Sequence, residues 1–262
     1  MVGTAYSTAF YDDHRDGSDR SARVLVPLIM ELLAPQSVVD VGCGVGLWCR
    51  AFADQGVPLV TGIDGPWVTE TAQWDRVSLD FNTAPLPFRP ALPAQKYDLA
   101  ITLEFIEHIL PERAEATVDL LTSLSDVVLA GGAIPGQGGA FHVNEQWPHY
   151  WHKLFADRGF APYDLIRPLA WDLPGVMPWY AQNTIGYFKH GVPPAVKARV
   201  EQAALARLRA PAALVHPGMF AHALDPTSRP LAWHLDVLAR FLRWRLAGRP
   251  AHPFRSRPRN AS

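Results

Sequence analysis

The pattern of hydrophobic and polar positions predicts strands and helices that alternate along the first part of the chain. A β-branched apolar run at 38–41 predicts a strand, and a helical pattern at 47–55 follows it. A second apolar run at 59–63 predicts another strand and ends on an acid, Asp64. Between the first strand and the helix stand three glycines at alternating positions, Gly42, Gly44 and Gly46. This order of elements is typical of half of a nucleotide-binding α/β sheet.

The same pattern divides the whole chain into three parts. Residues 1–20 are polar and predict an arm, which leads into an amphipathic helix at 21–33. Further predicted elements are strands at 97–103, 126–130, 163–166 and 184–188 and helices at 111–125, from Pro148 to Gly159, and at about 194–208 and 231–246. We expect an N-terminal arm and lid helix at 1–34, a core at 35–190, and a C-terminal helical extension with a basic tail at 191–262.

The glycine spacing narrows the class of nucleotide. A dinucleotide fingerprint requires Gly-x-Gly-x-x-Gly, and here the third glycine comes one residue early, so that Leu47 takes its place. A phosphate-binding loop requires Lys-Ser/Thr after its last glycine, and the first cation after this turn is Arg50. Asp40 places a carboxylate at the turn, which favours an ammonium and repels a phosphate. The residues therefore predict a nucleoside with a cationic side arm, whose ribose hydroxyls donate to Asp64.

The Asp-x-Gly-x-Gly-x-Gly motif with its distal acid resembles motif I of class I methyltransferases that use S-adenosylmethionine (SAM). The resemblance implies a Rossmann-like α/β sandwich with a seven-stranded, mostly parallel sheet, an antiparallel last strand and C-terminal helices. It implies SAM as the cofactor and S-adenosylhomocysteine as its product. It also implies that Asp80 accepts from the adenine amino group and that Phe81 packs on the ring. The predicted cofactor-binding residues are Asp40, Gly42, Cys43, Gly44, Asp64, Gly65, Asp80, Phe81 and Leu103.

A second block, residues 133–188, resembles a bacterial group of SAM methyltransferases. It carries IPGQGG and HVNEQWP followed by a Tyr-Trp pair, and it comes after LEFIEH, which resembles the element beside the methyl donor. An alcohol acceptor loses its proton as the new bond forms, and a neutral histidine suits that task at about pH 7. We predict His142 as the general base and His108 as its rival, with Glu107 or Glu145 orienting a histidine.

Hydrogen-bond donors and aromatic faces cluster in the same block and favour a pocket for a polar, hydroxylated or aromatic acceptor. Tryptophan faces stack on rings, amides bind hydroxyls, and a guanidinium binds a carboxylate or phosphate with two hydrogen bonds. The family resemblance adds the N-terminal arm, which folds over the cofactor. The predicted substrate-binding residues are Tyr11, Asn144, Gln146, Trp147, Tyr150, Trp151, Arg167, Trp179 and Asn183. We predict no metal, because no later pair of acids completes the set that Asp98, Glu104 and Glu107 begin.

Composition and charge change this picture little. The 262 residues carry a net charge of −1, and neither this charge nor any Asn-Pro-Pro-Tyr-type motif indicates a nucleic-acid partner. No apolar run approaches a membrane span, and the first residues are too polar for a secretory signal. Both cysteines are expected as reduced thiols, which indicates a cytoplasmic protein. The C-terminal arginines fit a solvated helix face and tail better than a membrane-binding helix, and a homodimer stays open.

The function that we expect is SAM-dependent O-methylation of a small molecule or a sugar-bearing metabolite, in a natural-product or glycan pathway. Two alternatives stay open. One is N- or C-methylation on the same fold, in which His142 would matter little for an amine acceptor, and the other is a catalytically silent SAM-fold binding protein. The intact motif argues against the silent protein, and the glycine spacing argues against a nicotinamide dehydrogenase.

Overall fold

A computed structural model describes residues 8–68, 74–137, 139–207 and 231–246 of the chain. Its α-helices are α1 (Thr8–Leu33), α2 (Leu47–Asp54), α3 (Ala114–Leu124), α4 (Pro148–Ala156), α5 (Arg167–Ala170), α6 (Pro178–Asn183), α7 (Pro194–Arg207) and α8 (Leu231–Leu246). Its strands are β1 (Ser37–Val41), β2 (Leu59–Asp64), β3 (Asp75–Ser78), β4 (Leu99–Leu103), β5 (Val127–Gly131), β6 (Ala161–Tyr163) and β7 (Ile185–Phe188). Two short 3₁₀ turns, Ile106–His108 and Pro111–Arg113, follow β4.

The strands form one seven-stranded sheet in the order β3-β2-β1-β4-β5-β7-β6. The first five strands along the chain are all parallel to one another. The strand β7 is antiparallel to both of its neighbours, β5 and β6. The strands β1, β2, β4 and β5 are buried almost throughout, as parallel strands with helices on both faces must be. This topology confirms the predicted Rossmann-like sheet with its antiparallel last strand.

The direction in which the strands are added reverses between β1 and β4. From β1 the chain moves outward through β2 and β3, and it then returns to place β4 on the other side of β1. In open α/β sheets, ligands bind in the crevice at such a switch point, outside the carboxyl ends of the strands. The glycine turn after β1 and residues 104–108 after β4 therefore lie at the edge of the same crevice.

Two apolar layers cover the two faces of this sheet. Val38 belongs to one layer and Val39 to the other, because successive residues of a strand point to opposite faces. The first layer includes Phe52 of α2, and the second includes Phe155 of α4. Phe155 stacks on Tyr187 of β7 with 4.0 Å between the ring centroids. The helices that flank the crevice are thus held by the core.

The helix α1 is longer than the sequence predicted, because it begins at Thr8 instead of residue 21. Its polar first half has partners elsewhere in the fold. Asp19 forms an ion pair with Arg50 of α2, and the Ser18 hydroxyl lies 2.9 Å from the hydroxyl of Tyr180. Hydrophobic periodicity does not reveal such partners, which is why this segment was predicted as an arm.

Two strands also differ from the prediction. The strand expected at 163–166 lies at Ala161–Tyr163, because the N–H of Leu165 turns back to the carbonyl of Tyr163 at 2.8 Å. The strand β3 was not predicted, since this mostly exposed edge strand shows no apolar alternation.

Contacts divide the chain into two units, Met1–Ala212 and Ala213–Ser262. The first unit contains α7, whose Val196 and Val200 are buried in the first apolar layer. The second contains α8, and both C-terminal helices match their predicted positions. No helix in the described ranges is both long and apolar enough to cross a bilayer. The arginines beyond residue 246 lie outside the described residues.

Candidate active site

The glycine turn after β1 is held by the acid that ends β2. All three glycines of the turn have positive φ, with 83° at Gly42, 53° at Gly44 and 77° at Gly46. The carboxylate of Asp64 accepts the N–H of Gly44 at 2.7 Å and the N–H of Gly65 at 2.6 Å. Since a carboxylate offers about four lone-pair positions, Asp64 keeps acceptor capacity for a ligand.

Aromatic rings lie directly on the glycines at this edge of the sheet. A Cβ atom added to Gly42 would lie 2.0 Å from the ring of Phe105, and one added to Gly46 would lie 1.9 Å from the ring of Trp74. Trp67 stands in the same relation to Gly65, at 2.1 Å. Only glycine therefore allows the backbone and these rings to approach so closely.

Asp40 is buried beneath the turn, with 3% of its surface exposed. The Cys49 thiol donates to its carboxylate, with 3.7 Å between sulfur and oxygen. Burial, and to a lesser extent the charge of Asp64, raises the pKa of Asp40 to about 8. Cys43 and Cys49 are both buried and form no disulfide with each other.

The predicted adenine-binding residues lie on the loop that follows β3. Asp80 accepts the N–H of Asn82 at 2.9 Å and the hydroxyl of Thr83 at 2.6 Å. Phe81 is 3% exposed and packs edge-on against Phe105, with 5.0 Å between the centroids. Phe81 thus reaches the glycine turn through Phe105. Leu103, the last residue of β4, is buried in the first apolar layer.

A buried polar network follows the carboxyl end of β4. Glu104 has a φ of 54° and accepts the side-chain amides of Gln137 and Asn183, each at 2.8 Å. Asn183 also donates to the side-chain oxygen of Gln137 at 2.9 Å. Burial raises the pKa of Glu104 to about 7, although both hydrogen bonds oppose the rise. The sequence analysis assigned no role to Gln137. Its position after β5 indicated that it lies near Glu104, because Glu104 follows β4 and these two strands are neighbours in the sheet.

The three predicted catalytic residues come together beside this network. The His142 Nε2 atom lies 3.9 Å from Oε1 of Glu107, and the rings of His108 and His142 meet at 90° with 4.9 Å between their centroids. Glu107 is 1% exposed, and neither of its carboxylate oxygens accepts a side-chain hydrogen bond from the described residues. Burial, followed by the charge of Glu104, raises the pKa of Glu107 well above its ordinary value.

The loop that carries His142 is fixed by its own contacts. Its Nδ1 atom lies 2.9 Å from Oε1 of Glu145, whose other oxygen accepts the N–H of Gly136 at 2.6 Å. The N–H groups of the two residues after His142, Val143 and Asn144, both donate to the carbonyl of Glu107 at 2.9 Å. These bonds hold the loop after β5 against the turn after β4, and thereby His142 against Glu107.

The predicted substrate-binding residues divide into two groups. Gln146, Trp151 and Asn183 line one small cavity, and Gln146 donates to Asn144 at 3.0 Å. The cavity residues stand beside the network of Glu104, because Asn183 belongs to both. The remaining residues do not line this cavity: Trp147 precedes α4, Tyr150 packs on Trp151, Arg167 pairs with Asp164 at 2.9 Å, and Trp179 packs near Tyr180. The side chain of Tyr11 lies outside the described residues.

The strand order, the glycine turn after β1 and the acid that ends β2 define a Rossmann-like methyltransferase fold. Residues 14–165 match the family described as Methyltransferase domain, which is more than half of the chain. The chain therefore belongs to this family, and SAM is its cofactor. At this crevice Asp64 keeps acceptor capacity for the cofactor, and the rings of Phe105 and Trp74 cover the glycines of the turn.

Individual relatives share only part of their length with this chain. The chain is 33% identical over 107 residues to the ubiquinone biosynthesis O-methyltransferase of Saccharophagus degradans, which covers 39% of this chain and 43% of that protein. It therefore spans less than half the length of this curated relative. The structure of magnesium protoporphyrin IX methyltransferase from Synechocystis with bound S-adenosylhomocysteine is similar at a TM-score of 0.47 and 19% identity, covering 70% of this chain and 87% of that one. The YcgJ protein of Bacillus subtilis gives a TM-score of 0.43 and 16% identity, with 70% and 82% covered.

Proposed function

We propose that this protein transfers the methyl group of SAM to a hydroxyl oxygen of a small molecule or sugar-bearing metabolite, with His142 as the general base. SAM supplies an electrophilic methyl group on a sulfonium, so the protein has to position the acceptor and remove its proton. The observation that carries the proposal is the position of His142, which lies beside Glu107 at the crevice where the glycine turn also ends.

The partner of His142 determines which of its nitrogens acts as the base. The carboxylate of Glu145 accepts hydrogen bonds but cannot donate them, so Nδ1 of His142 carries the hydrogen that it shares with Glu145. In the neutral ring, Nε2 then carries a lone pair and can accept a proton. This hydrogen bond supports Glu145, of the two acids that the sequence offered, as the residue that positions His142.

The residues around the small cavity suit an acceptor with hydroxyl groups. Gln146 and Asn183 contribute amides to the lining, and Trp151 contributes an indole whose Nε1–H has no partner among the described residues. The relative from Saccharophagus degradans is named as an O-methyltransferase, which supports oxygen as the acceptor atom. A natural-product or glycan pathway and a cytoplasmic location are part of this proposal.

On the cofactor side, we propose that Asp64 binds the ribose hydroxyls and that Asp80 and Phe81 bind the adenine. The acceptor capacity left on Asp64 and the burial of Phe81 against the ring on Gly42 support these roles. The charge of Asp64 helps to raise the pKa of Asp40, and we propose that the cationic arm of SAM favours the ionised form of Asp40 when it binds.

The test is methyl transfer to a panel of hydroxylated and amine acceptors, followed by formation of S-adenosylhomocysteine. We expect hydroxylated acceptors to react and His142→Ala to lower kcat by about 10²–10⁴-fold with unchanged SAM binding. His190→Ala is the matched control, since His190 also faces a carboxylate, Asp126 at 3.2 Å, but is 74% exposed. Transfer to amines alone, at equal rates in wild type and His142→Ala, would contradict the proposal.

A further inference from the structure

We propose that Glu107, His108 and His142 form a binding site for a divalent transition-metal ion that holds the acceptor hydroxyl. The inference takes the acceptor oxygen from the proposed function and replaces its general base, because Nε2 of His142 would bind the ion instead of the proton. It departs from the sequence expectation of no metal, which considered only carboxylates and placed no histidine in the set. Two imidazoles and one carboxylate are ligands that suit ions such as Zn²⁺ and Mn²⁺.

The geometry of the three side chains is close to that of a bound site. One ligand atom from each residue lies within 4.8 Å of the other two. With ligand distances of about 2.1 Å, two ligand atoms of a tetrahedral ion are about 3.4 Å apart. Glu107 Oε1 and His142 Nε2 lie 3.9 Å apart, so the three side chains have to approach one another when the ion binds.

Glu107 is the observation that points to a cation. Its side chain is 1% exposed, and neither of its oxygens accepts a side-chain hydrogen bond in the described part of the chain. Burial raises its pKa by more than the backbone N–H groups of Glu107 and Ala133 lower it, so the carboxyl favours its neutral form. A cation bound beside it would favour the charged form, since buried charges are normally paired or coordinate a metal. The site makes room for this acid, because a Cβ atom on Gly132 would lie 3.1 Å from Glu107 Oε2.

The surroundings orient the ligands as they do in known metal sites. Histidines that bind metals usually give their other ring N–H to a carboxylate, which fixes the tautomer and the ring. His142 does this toward Glu145 at 2.9 Å, so that Nε2 faces Glu107. The backbone bonds from Val143 and Asn144 to Glu107 join the two segments that supply the ligands.

Three protein ligands leave coordination positions open, as in catalytic metal sites. A cation there lowers the pKa of a hydroxyl that binds to it. The O–H bond of the acceptor then breaks and its proton passes to a water molecule, while the O–CH₃ bond forms and the S–CH₃ bond of SAM breaks. This assignment changes the task of His142, because a nitrogen that binds the cation cannot accept the proton.

The direct test is a titration of the chelator-treated full chain with Mn²⁺ and with Zn²⁺, in the absence of SAM and acceptor. We expect one ion per chain, and affinities that fall by about 10–100-fold or more in Glu107→Gln and His142→Ala. Glu145→Ala should weaken binding similarly, whereas Glu145→Gln keeps an acceptor for Nδ1 and restores it. His190→Ala should bind as the wild type does. No binding, or equal binding in wild type and all variants, would overturn the site.

Methyl transfer with and without a chelator separates this inference from the proposed function. Transfer that stops on chelation and returns with Mn²⁺ or Zn²⁺ supports the metal. Transfer at full rate in the chelated protein, lost only in His142→Ala, refutes the metal and leaves His142 as the base. Specific metal binding without transfer to any hydroxyl upholds the site and refutes the proposed acceptor.

Discussion

The substitution Asp64→Asn tests the acid on which the predicted cofactor site depends. One carboxylate oxygen of Asp64 accepts from Gly44 at 2.7 Å, and the other accepts from Gly65 at 2.6 Å. Asparagine keeps the size and one acceptor oxygen, but its amide nitrogen cannot accept from a backbone N–H. The variant therefore loses one of the two hydrogen bonds, and the acceptor of the remaining hydrogen bond is neutral instead of charged.

Two effects of opposite sign determine the change in stability. A hydrogen bond to a charged group contributes about 1.5–3 kcal/mol and a neutral one about 0.5–1.5 kcal/mol, so the two losses together cost about 3 kcal/mol. Removing the charge offsets part of this cost, because burial raises the pKa of Asp64 and disfavours its ionised form. We expect the free energy of unfolding to fall by about 1–3 kcal/mol.

The loss of affinity is expected to have a similar size. If the remaining lone pairs of Asp64 accept from the ribose hydroxyls, the neutral variant binds SAM less tightly by about 1–3 kcal/mol, or about 5–150-fold. Urea denaturation gives the free energy of unfolding, and calorimetric titration with SAM and S-adenosylhomocysteine gives Kd. The titration is made under conditions in which the variant is fully folded, so that the loss of stability does not affect the measured Kd.

Asp98 provides a matched control at the opposite end of the strands. Its carboxylate also accepts two backbone N–H groups, from Gln36 at 2.8 Å and from Ser37 at 3.0 Å. These residues lie at the amino end of β1, away from the crevice. Asp98→Asn should cost about 1 kcal/mol of stability and leave Kd unchanged. Wild-type affinity in folded Asp64→Asn would refute the ribose role, and equal weakening in both variants would show that affinity merely follows stability.

Two further predictions concern the acid and the first glycine of the motif. Because the pKa of Asp40 is about 8 in the folded protein and lower when unfolded, the folded state binds this proton more tightly. The free energy of unfolding, measured in urea, should therefore fall as the pH rises from about 4 to about 8, and Asp40 should contribute at most about 1.4 kcal/mol per pH unit to the slope. Glu104 and Glu107, whose pKa values are also raised by burial, contribute in the same direction, so the test is the difference in slope between the wild type and Asp40→Asn. Gly56→Ala should cost about 1–2 kcal/mol, since Gly56 has a φ of 81° and open space around it. Gly42→Ala should cost about 1–3 kcal/mol more, because its new Cβ atom meets the Phe105 ring; equal melting temperatures would contradict this.

Much of the fold could be predicted because its central strands are covered on both faces. Such strands are short continuous apolar runs, and β1, β2 and β5 begin and end within one residue of the runs found in the sequence. The glycine turn was equally visible, because positive φ at three alternating positions requires glycine. Segments whose stability depends on distant partners were not visible, as Asp19 and Arg50 show for the first half of α1.

The candidate site was predictable as a set of residues but not as an arrangement. The ends of β4 and β5 indicated that Glu107, His108 and His142 lie near the cofactor crevice. Their mutual distances depend on backbone bonds between two loops about 35 residues apart, and no local pattern encodes those bonds. The same holds for Gln137, whose role depends on its contact with Glu104.

The sequence by itself determined the class of the protein, the order of most of its strands and helices, and the acid and glycines of the cofactor motif. These features are local, because they follow from burial periodicity and from backbone conformations that only glycine adopts freely. Only the tertiary structure decided that Glu107 is buried and that two histidines lie beside it. That outcome depends on how two loops pack across the ends of parallel strands, where residues far apart in sequence share one low-dielectric space.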